Sequence, residues 1–181
     1  MSLRKSRRNA NERGFTLIET MVAIVILTIG LVSTAALMST SVSTTAKSHY
    51  MSTAAMLATE KLEDLDRFNK AEAPVKTAGG SLAADTPGFF DTVQISSDNG
   101  GISETTSSGG ASTSYTQTPA AGIVVTPGAG MPAPTPDTLI FDRRWTVTPD
   151  VPVLGVRTVT VLVTLQSGVT PVTFQMSVVR P

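Results

Sequence analysis

Cysteine is absent from this 181-residue sequence, histidine occurs once, and aromatic residues make up only 5% of the chain. Without cysteine, the chain can form neither a disulfide nor a thiolate nucleophile. The single histidine, His49, excludes a histidine-rich metal site within one chain and is expected at the surface. A small domain with so few large side chains must be held together by β-branched residues and by contacts with neighbours.

Net charge is also absent, but the charged residues are unevenly distributed. Residues 1–14 carry a net charge of +4, so the rest of the chain carries −4. This balance gives no reason to expect nucleic-acid binding. No residues are arranged as a nucleophile with its base, and Asp137, Asp142 and Asp150 lack the spacing of a calcium loop. We therefore expect a chain that is not an enzyme and that uses no cofactor or metal ion.

The basic segment is followed by 24 residues, Phe15–Met38, in which Glu19 is the only ionisable group. As an α-helix this run is about 36 Å long, enough to cross a hydrocarbon core of roughly 30 Å. The basic residues ahead of it favour a cytoplasmic N-terminus. A secretory signal peptide has the same order of segments, but its apolar core is shorter and ends at a small-residue cleavage site.

The helical pattern continues beyond Met38, since the next proline is Pro74. We expect one helix from about Phe15 to about Phe68, on the order of 80 Å long. Residues 15–38 are its transmembrane or filament-core part, and residues 39–70 are its amphipathic continuation. The apolar stripe of the second part has a 4-3-4-3 spacing and consists of Met51, Ala55, Ala58, Leu62 and Leu65.

Residues 71–181 are expected to form a β domain whose first part is poor in core-forming residues. Gly, Ser, Thr, Pro and Ala fill 42 of the 60 positions in residues 77–136. This composition predicts a loop over about 77–136, with Ser103–Thr118 as a mobile surface loop. Two short pieces within it, Phe89–Ile95 and Ile123–Thr126, are candidate strands.

Residues 139–179 alternate with period two, which predicts three half-buried strands. Gln166-Ser167-Gly168 makes the last two a hairpin, and the Pro149–Gly155 linker joins the first two. Such a sheet needs a cover on its apolar face, and the amphipathic part of the helix is the expected cover. The predicted fold class is α+β, a long N-terminal α-helix packed on a small antiparallel β-sheet. The predicted apolar face of the first strand consists of Leu139, Phe141, Trp145 and Val147, with Arg143 as the exception.

A specific motif stands where the basic segment meets the apolar run, namely Arg13-Gly14-Phe15-Thr16-Leu17-Ile18-Glu19. Together with the long apolar helix, it resembles the N-terminal signature of type IV pilin-like prepilins, over residues 7–68. The resemblance implies cleavage between Gly14 and Phe15 by a prepilin peptidase, N-methylation at Phe15, and a role for Glu19 in assembly. It also implies a pilin-like roll as the fold.

Physical chemistry agrees with these implied roles. Gly14 allows a protease close access to an extended backbone, and the cut removes the basic leader 1–14. Glu19 lies one helical turn from Phe15, so its carboxylate can face its own N-terminus or that of a neighbour. A charged carboxylate at a helix centre in lipid costs about 2.5–3.5 kcal/mol, and less near an end. The alternative is an uncleaved signal anchor in which Thr16 and Glu19 form a capping box.

The type of subunit is indicated by two segments and two absences. Thr59-Glu60-Lys61-Leu62-Glu63 resembles minor pilins and minor pseudopilins, and Phe141–Val147 resembles pilus modification-type minor pilins. The sequence lacks the C-terminal disulfide loop and the early helix proline of many major pilins. We therefore expect a minor type IV pilin that is incorporated into a pilus or primes it. The alternatives are a minor pseudopilin of a type II secretion system and a membrane-anchored adhesin with residues 77–136 as recognition loops.

The resemblance also implies partners and a location. The partners are a prepilin peptidase/N-methyltransferase, other pilins through the N-terminal helix, and the inner membrane before assembly. The chain would cross that membrane once, with a cytoplasmic N-terminus and a periplasmic C-terminal domain, and then enter a pilus or pseudopilus. Arg143, Arg144 and Arg157 are interpreted as solvated strand charges rather than a basic patch, and Trp145 as a core residue.

Overall fold

The computed structural model of the chain describes residues 15–69, 72, 75, 78–98, 101–118, 122–128, 130–166 and 171–181. The chain divides into two compact units, Met1–Thr45 and Ala46–Pro181, which are described separately. The predicted leader 1–14 lies outside the described ranges, and the predicted segment boundaries at residues 14, 38 and 70 stay predictions. The elements are α1 (Leu17–Arg67), β1 (Phe90–Asp98), β2 (Gly101–Ser108), β3 (Ala111–Thr118), β4 (Gly122–Gly128), β5 (Leu139–Pro149), β6 (Arg157–Leu165) and β7 (Thr173–Arg180).

The first unit contains the N-terminal part of α1, whose apolar side chains are exposed on every side. Ile18 is 66% exposed, Leu27 61% and Leu37 70%. Helix α1 is long and apolar enough to cross a membrane, judged by length and composition. Large exposed apolar surfaces on a protein mark contacts with lipid or with other proteins.

The hydroxyl groups of this apolar segment are satisfied by the helix itself. Thr20 and Thr28 donate to carbonyl oxygens three residues earlier, and Ser33 and Thr34 donate to those four residues earlier, at 2.7–2.8 Å. Such internal bonds are what a helix in an apolar environment requires, because no water is available there. The polar residues of residues 17–38 are therefore compatible with burial in lipid or in a helix bundle, with Glu19 as the exception.

The second unit contains a seven-stranded antiparallel sheet with strand order β4-β3-β2-β1-β5-β6-β7. Strands that follow one another in the sequence are neighbours in the sheet, with one exception: β4 and β5 lie apart. β4 is at one edge of the sheet, and β5 pairs with β1. Phe141 lies opposite Val93 on one side and opposite Leu165 on the other. The α+β fold and the antiparallel pairing are confirmed, while the predicted small sheet is in fact a large one.

The core of the second unit lies between the C-terminal part of α1 and one face of the sheet. β5 and β6 alternate buried and half-buried residues along their length, as predicted. An antiparallel sheet with one apolar face is stable only when that face is covered, and α1 provides the cover. The buried apolar residues on the sheet side are Val93, Phe141, Trp145, Val147, Val159, Val161, Val163, Leu165 and Val172.

The buried stripe of α1 differs from the prediction at its start. Met51 is 36% exposed and Ala55 is half-buried, whereas Ala58, Leu62 and Leu65 are buried as predicted. The helix instead buries Ala54 and Leu57. The buried residues follow an i, i+3, i+4, i+8, i+11 spacing that begins at Ala54, which is one face of a helix with 3.6 residues per turn.

The prediction of a loop over about 77–136 is wrong for most of its length, because four strands lie within it. The candidate strands Phe89–Ile95 and Ile123–Thr126 are confirmed as β1 and β4, but Ser103–Thr118 forms β2 and β3 rather than a mobile loop. Hydroxyl pairs cross these strands, with Ser103 and Thr116 at 3.1 Å and Thr105 and Ser114 at 2.8 Å. Such cross-strand pairs and the strand propensity of threonine replace apolar burial here.

The turn between β2 and β3 is encoded by two glycines. Gly109 and Gly110 have φ values of 61° and 89°, the positive values that a two-residue hairpin loop of the I′ type requires. The predicted hairpin of the last two strands is also confirmed, since β6 and β7 pair in antiparallel fashion. Its proposed turn at Ser167-Gly168 lies outside the described ranges.

The last strand is tied to the end of the helix by one arginine. Arg180 donates to the carbonyl oxygens of Leu65, Asp66 and Phe68 at 2.9, 2.8 and 3.2 Å. It also forms an ion pair with the Asp66 carboxylate at 2.7 Å. The last carbonyls of a helix have no partner within it, and a cation favours the negative end of its dipole. Arg180 therefore fixes the end of α1 on β7.

Candidate functional site

The first candidate site is the start of α1, where Thr16 acts as the N-cap. The Glu19 N–H donates to the Thr16 hydroxyl at 3.3 Å and to the Thr16 carbonyl at 3.0 Å. The Thr20 N–H donates to the same carbonyl at 3.2 Å. Phe15 precedes the cap and is 77% exposed, while Gly14 lies outside the part of the chain that the structure describes.

The carboxylate of Glu19 lies in the first helical turn and is exposed. A negative charge is favoured there by the positive end of the helix dipole. Among the described residues no side chain or backbone N–H is bonded to this carboxylate, so the reciprocal half of a capping box is not formed. The hydroxyl groups of residues 17–38 bond to carbonyl oxygens of the helix, whereas the Glu19 carboxylate is available to bind a group outside the helix.

The second candidate site is a charged cluster beneath the C-terminal part of α1. Asp91 on β1 and Arg143 on β5 are register partners and form a two-pronged ion pair, Nε to Oδ1 at 2.7 Å and Nη2 to Oδ2 at 3.1 Å. Asp91 is 1% exposed and Arg143 is 3% exposed. The helix adds Lys61, whose Nζ lies 3.0 Å from Asp91 Oδ2 and 4.2 Å from the Trp145 ring centroid.

Arg143 stays charged in spite of its burial. Burial by itself lowers the pKa of the guanidinium, but the charge of Asp91 and its hydrogen bond raise it more, with help from Glu60 and Glu104. The net pKa is raised. An arginine in this position is tolerated only because a carboxylate is held against it, since an unpaired buried charge is strongly destabilising.

The interpretation of the three arginines as solvated strand charges is wrong for Arg143. Arg144 instead contacts Asp85 at 2.6 Å and Asp142 at 3.7 Å, and Arg157 donates to the Val75 carbonyl. The three arginines have separate partners and do not form a basic patch. Trp145 is 4% exposed, which confirms it as a core residue, and His49 is exposed as predicted.

The role of Asp91 was missing from the sequence prediction. Asp91 shares its strand face with Val93 and Ile95, just as Arg143 shares its face with Phe141 and Trp145. One acidic and one basic residue at apolar positions of two strands are the signal of a buried pair, because neither is stable there alone. Only the pairing of β1 with β5 shows that they meet.

A groove opens beside this cluster, between residues 60–67 of α1 and strands β1–β3. Its cavity volume is about 510 Å³. Asp91 and Arg143 lie in its lining, with Thr106, Thr113 and Tyr115 on the sheet side. Among the described residues no three His, Cys, Asp or Glu side chains are grouped as metal ligands.

Comparison with known families finds a match at the N-terminal segment. Residues 9–35 match the family described as the prokaryotic N-terminal methylation motif, which is typical of type IV pilin-like prepilins. The matched range contains Gly14, Phe15 and Glu19. The resemblance noted from the sequence is thereby confirmed over residues 9–35, and the long N-terminal helix followed by a β-sheet agrees with it. Comparisons with curated proteins and with solved structures give no match.

Proposed function

We propose that this chain, which carries the N-terminal methylation motif of type IV pilin-like prepilins, is a minor type IV pilin. The observation that carries the proposal is the match of residues 9–35 to that motif. A pilin-like precursor is a structural subunit and a substrate of its peptidase rather than an enzyme. In the proposed function, the chain is cut between Gly14 and Phe15, methylated at Phe15, and then incorporated into a pilus or used to prime one.

Before assembly, the N-terminal half of α1 spans the inner membrane once, with the leader in the cytoplasm and the β domain in the periplasm. The basic leader supports this orientation, because positive residues favour the cytoplasmic side. The exposed apolar side chains of residues 17–38 and their internally bonded hydroxyls support both a lipid and a helix-bundle environment. The same surface thus serves before and after assembly.

Glu19 would set the register of the subunit in the filament. Cleavage creates a positively charged amine at Phe15, and methylation keeps that charge. The exposed Glu19 carboxylate, which has no partner among the described residues, would pair with the Phe15 amine of an adjacent subunit. A charge pair formed in an apolar bundle is strong and directional, so it selects one axial offset between helices.

The assignment to a minor subunit rests on the segment Thr59–Glu63, which resembles minor pilins. In the structure this segment touches the sheet domain, since Lys61 contacts Asp91, Leu62 is buried, and Glu60 approaches Arg143 at 3.7 Å. The segment therefore helps to hold the β domain against α1.

The central experiment is the mass of the mature protein purified from the cell. It should give an N-terminus at Phe15 with one added methyl group. A Gly14→Asp variant should stay at full length, because a charged side chain blocks the close backbone approach that glycine permits. Recovery of functional, assembled chains that still begin with Met1 would overturn the proposal.

A second experiment separates an assembly role of Glu19 from a capping role. Glu19→Ala should be cleaved normally but should be depleted from sheared filaments. Asp137→Ala, which removes an exposed carboxylate from the β domain, should be incorporated like the native chain. Normal incorporation of Glu19→Ala would show that the carboxylate serves the helix alone.

A minor pseudopilin of a type II secretion system is the second candidate function. It is favoured by the same segment, Thr59–Glu63, because minor pseudopilins share this likeness and the same processing. Deletion of the chain separates the two, since a minor pilin is needed for surface pili and a pseudopilin for protein secretion. In the adhesin alternative, the binding surface at residues 77–136 would be built by strands β1–β4 rather than by loops.

A further inference from the structure

The groove beside the Asp91–Arg143 pair has the volume of a binding site. Its volume of about 510 Å³ lies within the range of ligand pockets, roughly 300–1,000 Å³. Residues 60–67 of α1 form one wall, and Thr106, Thr113 and Tyr115 form the other. We call this cavity the α1–β3 groove.

The floor of the α1–β3 groove holds an unsatisfied donor. Arg143 Nη1 is buried and has no hydrogen-bond partner among the described residues, and Oε2 of Glu60 lies 3.7 Å from it, too far for a hydrogen bond. Arg143 lines the groove, and its side chain is 4% exposed. A buried charged donor without a partner is costly, and an oxygen supplied by a ligand would satisfy it.

The groove also carries an excess of negative charge. Glu60, Glu63, Asp64 and Asp91 line it against Lys61, Arg67 and Arg143, and Glu104 lies beside Tyr115 of the lining. The lining by itself has four carboxylates and three cations, a net charge of −1, and the neighbouring Glu104 brings the local charge to −2.

The excess of negative charge agrees with the direction in which the pKa of Glu104 is shifted. Burial raises the pKa of Glu104, the charge of Glu60 raises it further, and Arg143 offsets only part of this rise. Repulsion between the two carboxylates is therefore not fully relieved within the chain. Glu60 lies on the helix wall of the groove and Glu104 lies beside Tyr115 of the sheet wall, so a cation held in the groove between the two walls would be attracted by both carboxylates.

Apolar surface continues from the groove towards the edge of the sheet. Ile102, Tyr115, Ile123 and Val125 are 46–67% exposed. The strand register puts them on one face of the sheet. Tyr115 lies opposite Val125, and Ile123 is two residues from Val125 on the same strand. Tyr115 also lies opposite Glu104, and Ile102 is two residues from Glu104 on β2. No charged residue occurs between residues 105 and 136. Glu104 lies beside this apolar surface, so an occupant that buries the apolar side chains must also supply a cation for Glu104.

We propose that the α1–β3 groove binds a peptide segment of a partner protein in which a lysine or arginine is flanked by apolar residues. The basic side chain would lie between Glu60 and Glu104, and a backbone carbonyl oxygen would accept a hydrogen bond from Arg143 Nη1. The flanking residues would pack on Tyr115 and Val125. A peptide fits because it offers a carbonyl acceptor and a cation together, and charge complementarity selects a basic segment over an acidic one.

The proposal is tested with the full-length chain in detergent and a fluorescent, blocked peptide of alternating valine and lysine. Binding is measured by anisotropy, with the peptide of alternating valine and glutamate as comparison. We expect the lysine peptide to bind and the double variant Glu60→Gln/Glu104→Gln to weaken binding by about fivefold, the effect of two weak ion pairs, one at the exposed Glu60 and one at the half-buried Glu104. The matched double variant Glu72→Gln/Asp137→Asn, in which both groups are exposed and outside the groove lining, should bind like the native chain.

A second variant tests the apolar part and avoids the buried cluster. Val125→Lys places a positive charge on the exposed edge strand and should weaken the lysine peptide by a similar factor, whereas Val179→Lys on β7 should not. Equal binding of the acidic peptide, or undiminished binding by the Glu60→Gln/Glu104→Gln variant, would overturn the proposal. It would also be overturned if light scattering showed that the groove is occupied by a second copy of this chain and that Val125→Lys abolishes that self-association.

Discussion

The two halves of the sheet adopt the same strand geometry by different means. β1, β5, β6 and β7, which we call the covered half, form the apolar core with α1. β2, β3 and β4, the uncovered half, contribute no residue to that core among the described residues, and their buried side chains are Thr105 and Ser112. The covered half is held by burial of valine and aromatic side chains, and the uncovered half by strand propensity and hydroxyl pairs.

This difference has a thermodynamic consequence. Full burial of a valine or phenylalanine contributes about 1.5–3 kcal/mol, whereas a cross-strand pair contributes roughly 0.2–1 kcal/mol. The uncovered half should therefore open more readily than the covered half. The covered half, by contrast, keeps the domain fixed to its helix through the shared apolar core.

The largest effect is expected from Phe141→Ala, because Phe141 is fully buried in the covered half. We expect a loss of about 3–5 kcal/mol in the free energy of unfolding. Its counterpart Tyr115→Ala removes an aromatic side chain that is 46% exposed in the uncovered half and should cost less than about 1 kcal/mol. Urea unfolding followed by the fluorescence of Trp145 measures both, and similar losses would remove the distinction between the halves.

Asp91→Asn should have the next largest effect. It removes the charge that holds Arg143 and Lys61 in the buried cluster, and we expect a loss of about 1.5–3 kcal/mol. Asp85→Asn is the matched control, because its partner Arg144 is more exposed and such pairs contribute roughly 0.2–1 kcal/mol. If the two variants unfold at the same urea concentration, the buried pair adds nothing beyond a surface pair.

A smaller effect is expected from Ser114→Ala in the uncovered half. The change leaves the buried Thr105 hydroxyl without its partner at 2.8 Å and should cost about 1 kcal/mol. Hydrogen exchange of β2 and β3 should accelerate while that of β6 stays unchanged. Thr126→Ala, on the exposed strand β4, should leave both rates as they are. Acceleration throughout the sheet would show that the halves open together.

The smallest effect is a pH dependence that arises from Glu104. Burial and the charge of Glu60 raise the pKa of Glu104 above its ordinary value of 4.5, so the folded state binds its proton more tightly than the unfolded state. The resulting stabilisation is complete below pH 4.5 and is lost as the pH rises through the folded pKa. Unfolding free energies of the native chain and Glu104→Gln should therefore diverge with rising pH, in favour of the variant. A constant difference would contradict this assignment.

The sequence was sufficient to predict an element or a motif wherever the residues that encode it are close together and form a strong pattern. Helix α1 and strands β5, β6 and β7 follow from apolar periodicity, and the N-terminal motif follows from adjacent residues Gly14, Phe15 and Glu19. The prediction failed for β2 and β3 because serine and threonine are poor signals of a core. Their strand structure depends on partners that lie across the hairpin, although the Gly109-Gly110 pair marked the turn.

The sequence by itself revealed the methylation motif, the long helix and the apolar face that the helix covers. Each of these features depends on residues that are close together in the chain. Only the tertiary structure decided that Asp91 and Arg143 form a buried pair, that Lys61 joins them, and that a groove lies beside them. These features join residues from β1, β5 and α1. A buried charge is stable only with its partner, and the pairing of distant strands, not local propensity, brings that partner into reach.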